Sequence, residues 1–182
     1  MSRRLISILL LSLAVTAGAE EKYGEILGVA AASAAGPINQ WPQRPEPLVR
    51  TMRFALEDAG LTPDAVDVVY ASANATRSLD AIEALALGEL FGDTRTIVTS
   101  IKGALGEFGA SGAAACAAAV LCGRIGRVPP IAGLECADPI AASLRLARIA
   151  VDAPGPIALV NGFASGGALF SVVLRVAKQR DV

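Results

Sequence analysis

At 182 residues the chain has the length of one domain, and with 53% hydrophobic residues it can bury a core of its own. Sixteen basic against seventeen acidic residues, a net charge of −1 and no run of either sign argue against nucleic acid or an anionic membrane as partner. Aromatics are only 4% while Ala and Gly abound, a bias that suits layered α/β folds with close helix contacts.

The N-terminus reads in two ways. Arg3 and Arg4, the apolar run Leu5 to Val15 and Ala17-Gly18-Ala19 match the three parts of a secretory signal peptide. The same residues read as a buried strand, Leu5 to Leu10, and a short helix, Ser12 to Ala19, so that residues 1–22 would belong to the fold. The run is too short for a transmembrane helix.

From Tyr23 strand-like and helix-like segments alternate. Glu25 to Ala32 reads as a strand, and Ser33 to Pro47 as a loop rich in Pro and Gly. Leu48, Met52, Ala55, Leu56 and Ala59 recur at helical spacing up to Gly60, a C-cap signal. Thr62-Pro63-Asp64 marks a turn or helix start before the strand Val66 to Ala71. Ser78 to Phe91 is a helix with Ile82, Leu85 and Leu90 on its apolar side, stopped by Gly92. Ile97 to Ser100 is a short strand. Gly109 to Cys122 is almost entirely Gly, Ala, Ser and Cys, as a central buried helix would be. Arg127 to Ala137 is a loop, and Ala141 to Val151 reads equally as a short helix or an irregular segment. Pro156 to Asn161 and Leu169 to Val176 are strands joined by the glycine-rich loop Gly162 to Ala168. The order calls for one sheet with helices on both faces.

Four segments carry a resemblance. "FALEDAGLTPDAVDVVYASANAT" (Phe54 to Thr76) resembles the helix, turn and strand leading into the first catalytic-histidine motif of β-ketoacyl synthases, HGTST. "SIKGALGEFGASGAAA" (Ser100 to Ala115) resembles their lysine loop, second histidine motif and following helix. "RVPPIAGLE" (Arg127 to Glu135) is similar to the loop before the substrate channel, and "ALVNGFASGGALFSVVLR" (Ala158 to Arg175) to the NSFGFGG loop between the last two strands. In that order over some 120 residues they resemble the C-terminal half of the family. The resemblance implies a layered α/β/α half of the thiolase-like fold, with a five-stranded mixed sheet, over residues 23–182.

Condensation in this family, as the resemblance implies, uses a cysteine thiolate and two histidines that offset charge at a carbonyl oxygen. Here the histidine positions fall on Ser72 and Glu107. Serine is no base near neutral pH, and an ionised glutamate repels an enolate. Glu107 has the alternative reading of a solvated surface acid. Lys102 matches the family's lysine and is expected either to pair with Glu107 or Glu83 or to stand on the surface.

The cysteines, Cys116, Cys122 and Cys136, have no CxxC spacing, and no histidine is present to complete a mixed zinc site. They are expected to be reduced, mostly buried thiols, with burial or acidic neighbours disfavouring a nucleophilic thiolate. No metal and no cofactor are expected. In the glycine-rich loop Asn161 and Phe163 stand at the Asn and first Phe, Ser165 at the gating second Phe, and Gly166 and Gly167 at the paired glycines. These five are the candidate substrate-binding residues of an altered pocket wall, although the loop reads more readily as a structural remnant.

The resemblance implies a cytoplasmic protein, or an exported one if residues 1–19 are a signal peptide. A non-catalytic, chain-length-factor-like subunit is the leading expectation. It would form a heterodimer with an active ketosynthase and meet acyl carrier protein through that complex. The alternatives are half of a split synthase, in which Ser72, Asn74, Lys102 and Glu107 could also run a different reaction, or a homodimer that binds a small acyl ligand.

Overall fold

The computed structural model describes residues 22–177, so the strand and helix expected over Leu5 to Ala19 lie outside the described residues. Strand β1 (Gly24–Ser33) leads through the proline-rich loop to helix α1 (Glu46–Ala59), and a 3-10 turn (Pro63–Ala65) leads to β2 (Val68–Tyr70). Helix α2 (Arg77–Phe91), β3 (Ile97–Thr99), the single turn α3 (Lys102–Leu105) and helix α4 (Ser111–Arg124) follow. Next come β4 (Arg127–Val128), a 3-10 turn (Pro139–Ala141), β5 (Arg145–Leu146) and β6 (Val151–Asp152), then the long hairpin β7 (Ile157–Phe163) and β8 (Ala168–Val176).

Six strands form a mixed sheet in the order β1-β8-β7-β2-β3-β5. The β7–β2–β3–β5 side is parallel, whereas β8 runs antiparallel to both β7 and β1. The five expected strands are all present. The two-residue β5 extends the sheet from the segment whose character the sequence left open, while β4 and β6 pair apart from it.

Strand side chains alternate between two cores, as a period of two requires. Val69, Leu159, Leu169 and Val173 face α1 and α2, where Leu48, Met52, Leu56, Leu79 and Leu87 close the larger core. Val68, Tyr70, Val160 and Leu174 face the other way, onto Ala115 and Ala119 of α4. Helices therefore cover both faces. The apolar stripe of α1 ends at Gly60, whose φ of 67° is the left-handed conformation that closes a helix and favours glycine. Close packing is enforced at Gly28, where a Cβ would run into the Ala55 carbonyl oxygen and the Ala59 backbone nitrogen of α1.

Three expectations are corrected. On α2 the inward face is Leu79, Ile82, Glu83, Ala86, Leu87 and Leu90, whereas Leu85 is exposed, because it lies across the helix from Leu87. Helix α4 is buried on one face only: Leu121 and, just beyond its end, Ile125 are exposed, since among the described residues only the sheet and β4 pack closely on it. Cys116 and Cys122 are only partly buried and Cys136, in the loop after β4, is exposed, so the thiols are not mostly buried.

Candidate functional site

In a parallel sheet the carboxyl ends of neighbouring strands open on the same side, where a crevice can form. Here the ends of β2, β3 and β7 deliver Ser72, Ser100 and Lys102, and Phe163 to one place. The loop after β2 is shaped by its own side chains. Asn74 accepts from the Thr76 backbone N–H, Asp80 accepts from the Asn74 backbone N–H at 3.0 Å, and Ala75 is held at a positive φ of 69°.

Lys102 is the hub. Its residue is 8% exposed. Its Nζ donates to the Ser72 carbonyl at 2.7 Å, to Ser72 Oγ at 3.1 Å and to Glu107 Oε2 at 2.6 Å. An ammonium group has three protons, and each has an acceptor. Of the readings open in the sequence, the ion pair with Glu107 is the one formed, and Lys102 is not a surface lysine.

Glu107 is likewise fully engaged. Oε2 also accepts from the Asn74 amide at 2.9 Å, and Oε1 accepts from the Ser111 hydroxyl at 2.7 Å. Burial works against its charge, but Lys102, Ser111 and Asn74 together outweigh that effect and hold the carboxyl below its usual range. Glu107 is thus half exposed yet tied by both oxygens, and is not a freely solvated acid.

Ser72 is fully buried, and its Oγ accepts from the Phe163 backbone N–H at 2.9 Å and donates to the Phe163 carbonyl at 3.3 Å. Sealed from solvent and stapled to β7, this hydroxyl cannot meet an incoming carbonyl, so its hydrogen bond from Lys102 is structural and not a nucleophile–base pair.

Behind Ser72 lies a second carboxylate. Glu83 of α2 is 1% exposed, and its Oε1 accepts from the Ser72 backbone N–H at 2.9 Å and the Asn161 amide at 3.0 Å. Its Oε2 has no partner among the described residues. Burial pushes the carboxyl up to about 7, against the opposing pull of the Ser72 and Asn161 hydrogen bonds and the Lys102 charge. One turn earlier Asp80 is also raised by burial, partly offset by hydrogen bonds from the Asn74 and Ala75 backbone and by Lys102.

In the glycine-rich segment Asn161 is buried on β7, its side-chain Oδ1 accepting from the Ser171 hydroxyl at 2.8 Å. Phe163 is buried at the end of β7 and Ser165 is exposed. Gly166 and Gly167 sit at φ 88° and 93°, and a Cβ on Gly167 would press within 3.1–3.2 Å of the backbone nitrogens of Ala34, Ala35 and Gly36. The loop is therefore clasped to the proline-rich loop, with Gly166 donating to the Gln40 carbonyl. The structure joins Ser72, Lys102, Glu107 and Asn74 in one network and reaches Asn161 and Phe163 through Ser72 and Glu83, while Ser165 stays outside.

Sequence reasoning did not single out Asp80, Ser100 or Ser111. The available signal was the Arg77-Asp80-Glu83 spacing, which places three charges on one helix side next to an apolar stripe. Among the described residues no cluster of three or more His, Cys, Asp or Glu could hold a metal ion. No helix there is long and apolar enough to cross a membrane.

The site is thus a polar network at the carboxyl ends of parallel strands in a mixed sheet that helices cover on both faces, a layered α/β class of protein. The profile of the β-ketoacyl synthase C-terminal domain matches residues 23–135, and the chain belongs to that family. It is 42% identical over 118 residues to the tetracenomycin polyketide synthase ketoacyl synthase β subunit of Streptomyces glaucescens. It is 36% identical over 118 residues to the actinorhodin polyketide putative β-ketoacyl synthase 2 of Streptomyces coelicolor. Each match covers 64% of this chain but 28% of the relative, so the chain spans little more than a quarter of the curated relatives' length. Among solved structures it superposes on a β-ketoacyl synthase from Burkholderia phymatum with a TM-score of 0.79 and 28% identity, covering 86% of this chain and 38% of that one. The ishigamide ketosynthase/chain length factor, at 24% identity and a TM-score of 0.80 over 95% of this chain and 41% of that one, shares the fold.

Proposed function

We propose that this chain is a non-catalytic ketosynthase-like subunit that acts as a chain-length factor does, paired with an active ketosynthase in polyketide or fatty-acid elongation. The observation that carries the reading is the closure of the expected histidine positions. Ser72 is sealed under Phe163 and Glu107 is locked onto Lys102, Ser111 and Asn74. Neither group is left free to move a proton at a reacting carbon or to donate to an oxyanion. The two helix thiols do not compensate, because burial pushes both Cys116 and Cys122 up, away from the thiolate form.

The β-subunit relatives in polyketide systems support the kind of partner, and the exposed outer face of α4 offers it an apolar surface. In this reading Asn161, Phe163 and the Ser165–Gly167 turn shape a pocket wall that bounds the growing chain. Residues 23–182 form its ketosynthase C-terminal-like domain, and acyl carrier protein reaches it through the complex. The test is co-expression with a ketosynthase encoded beside it, followed by size-exclusion chromatography and product analysis. The two proteins are expected to co-elute, and omission of this chain is expected to change product length. A chain that elutes alone and leaves product length unchanged would refute the proposal, and condensation that survives loss of the partner's nucleophile would refute its non-catalytic character.

A further inference from the structure

Beside the network a cleft of about 850 Å³ opens between α2 and the 131–146 segment. Its walls are largely alanines and aliphatic side chains, among them Ala81, Ala84, Val98, Leu134, Ile140 and Leu146, with Arg77 and Asp138 also in the lining, and no aromatic ring lines it. That volume is in the range of small-molecule sites, and walls without rings suit a flexible aliphatic chain better than a stacked planar ligand.

The polar end of the cleft is short of one hydrogen-bond donor. Glu83 and Asp80 both line it. Ser72 and Asn161 occupy Glu83 Oε1, whereas Oε2 is buried and without partner among the described residues. A buried carboxylate oxygen left bare costs the desolvation of a charged acceptor. The nearby Lys102 cannot supply the donor, because its three protons already serve the Ser72 carbonyl, Ser72 Oγ and Glu107. Asp80 adds a second carboxylate, and burial raises both acids; Arg77 also lines the cleft, yet Glu83 Oε2 takes no hydrogen bond from it.

We propose that this cleft binds an aliphatic amine, with its chain along the alanine- and leucine-lined walls and its ammonium group donating to Glu83 Oε2. The ammonium completes the carboxylate's hydrogen bonds. The inference goes beyond the partner role and does not depend on it.

The test is calorimetric titration of the full chain with 1-octylamine and with octanoate at about pH 8, where both head groups are ionised. The amine is expected to bind at least about tenfold more tightly than the acid. In Glu83→Gln the amide oxygen must keep accepting from Ser72 and Asn161, so its NH₂ turns to the cleft, and the preference is expected to invert. Ala84→Leu, a helix-compatible change at a half-buried wall position, fills the cleft and is expected to weaken both ligands. It also decides the matter alone should Glu83→Gln fail to fold. Equal affinity of the wild-type chain for amine and acid, or amine binding undiminished in either folded variant, overturns the proposal.

Discussion

Replacing Lys102 by methionine keeps most of the side chain's volume and removes its charge, which isolates what the ammonium group does. The change leaves the Ser72 carbonyl without its donor and the Glu107 carboxylate without its counter-ion. A lost hydrogen bond to a charged group costs about 1.5–3 kcal/mol, and breaking a fully buried ion pair about 3–5. Here the lysine side chain is 5% exposed but the glutamate 44%, so water re-solvates one partner and the lower end applies. Lys102→Met is therefore expected to destabilise the chain by about 2–3 kcal/mol, or roughly 5–10 °C in Tm for a domain of this size. Glu107→Gln should cost less, about 1 kcal/mol, because the amide oxygen still accepts from Lys102 and Asn74 while its NH₂ can donate to Ser111 Oγ. Urea unfolding of both single variants and the double variant, followed by circular dichroism, is expected to give a coupling of about 1 kcal/mol between the two sites. A Lys102→Met cost below about 0.5 kcal/mol, or no coupling, would refute the account of Lys102 as the hub.

Two further predictions concern the other titrating groups. Glu83 has its folded-state value raised from 4.5 to about 7, so between these limits the folded state binds more protons than the unfolded one. Its contribution to stability is full below 4.5 and declines as pH rises through about 7, the reverse of Glu107, whose contribution is present above its usual value and lost on acidification. Glu83→Gln should flatten that decline, so the stability gap to the wild type shifts in the variant's favour as pH rises across the window; a gap constant with pH would contradict the assignment. Of the three thiols, Cys136 is exposed whereas burial disfavours the thiolates of Cys116 and Cys122. Maleimide followed by peptide mass mapping should therefore label Cys136 first, and faster labelling of either helix cysteine would refute this order.

Much of the fold was legible because its periods are strong. The apolar spacing of α1 up to Gly60 and the β-branched run at Val68 and Val69 each admit one structure. Helix α2 was harder, since apolar residues surround it and an acid, Glu83, takes an inward position that pattern reading assigns to Leu85. The outward face of α4 was misread because alanines and glycines look alike whether buried or exposed. Of the site, the sequence supplied Ser72, Lys102, Glu107 and Asn74 as candidates. It could not say that one ammonium would hold three of its acceptors at once, which depends on strand ends that are 30 residues apart in the chain. The two-residue strands β4 to β6 left no periodic trace at all.

The Lys102 hub also constrains how this site could change over generations. Ser72, Glu107, Asn74, Ser111 and Phe163 are joined through shared atoms, so each residue is fitted to the present identity of its neighbours. A single substitution that put an imidazole at position 72 or 107 would have to fit among partners arranged for a hydroxyl and a carboxylate, and would lose stability. A histidine pair at these two positions would need several coordinated changes, each unfavourable alone, so substitutions in this network are expected to be accepted together or not at all.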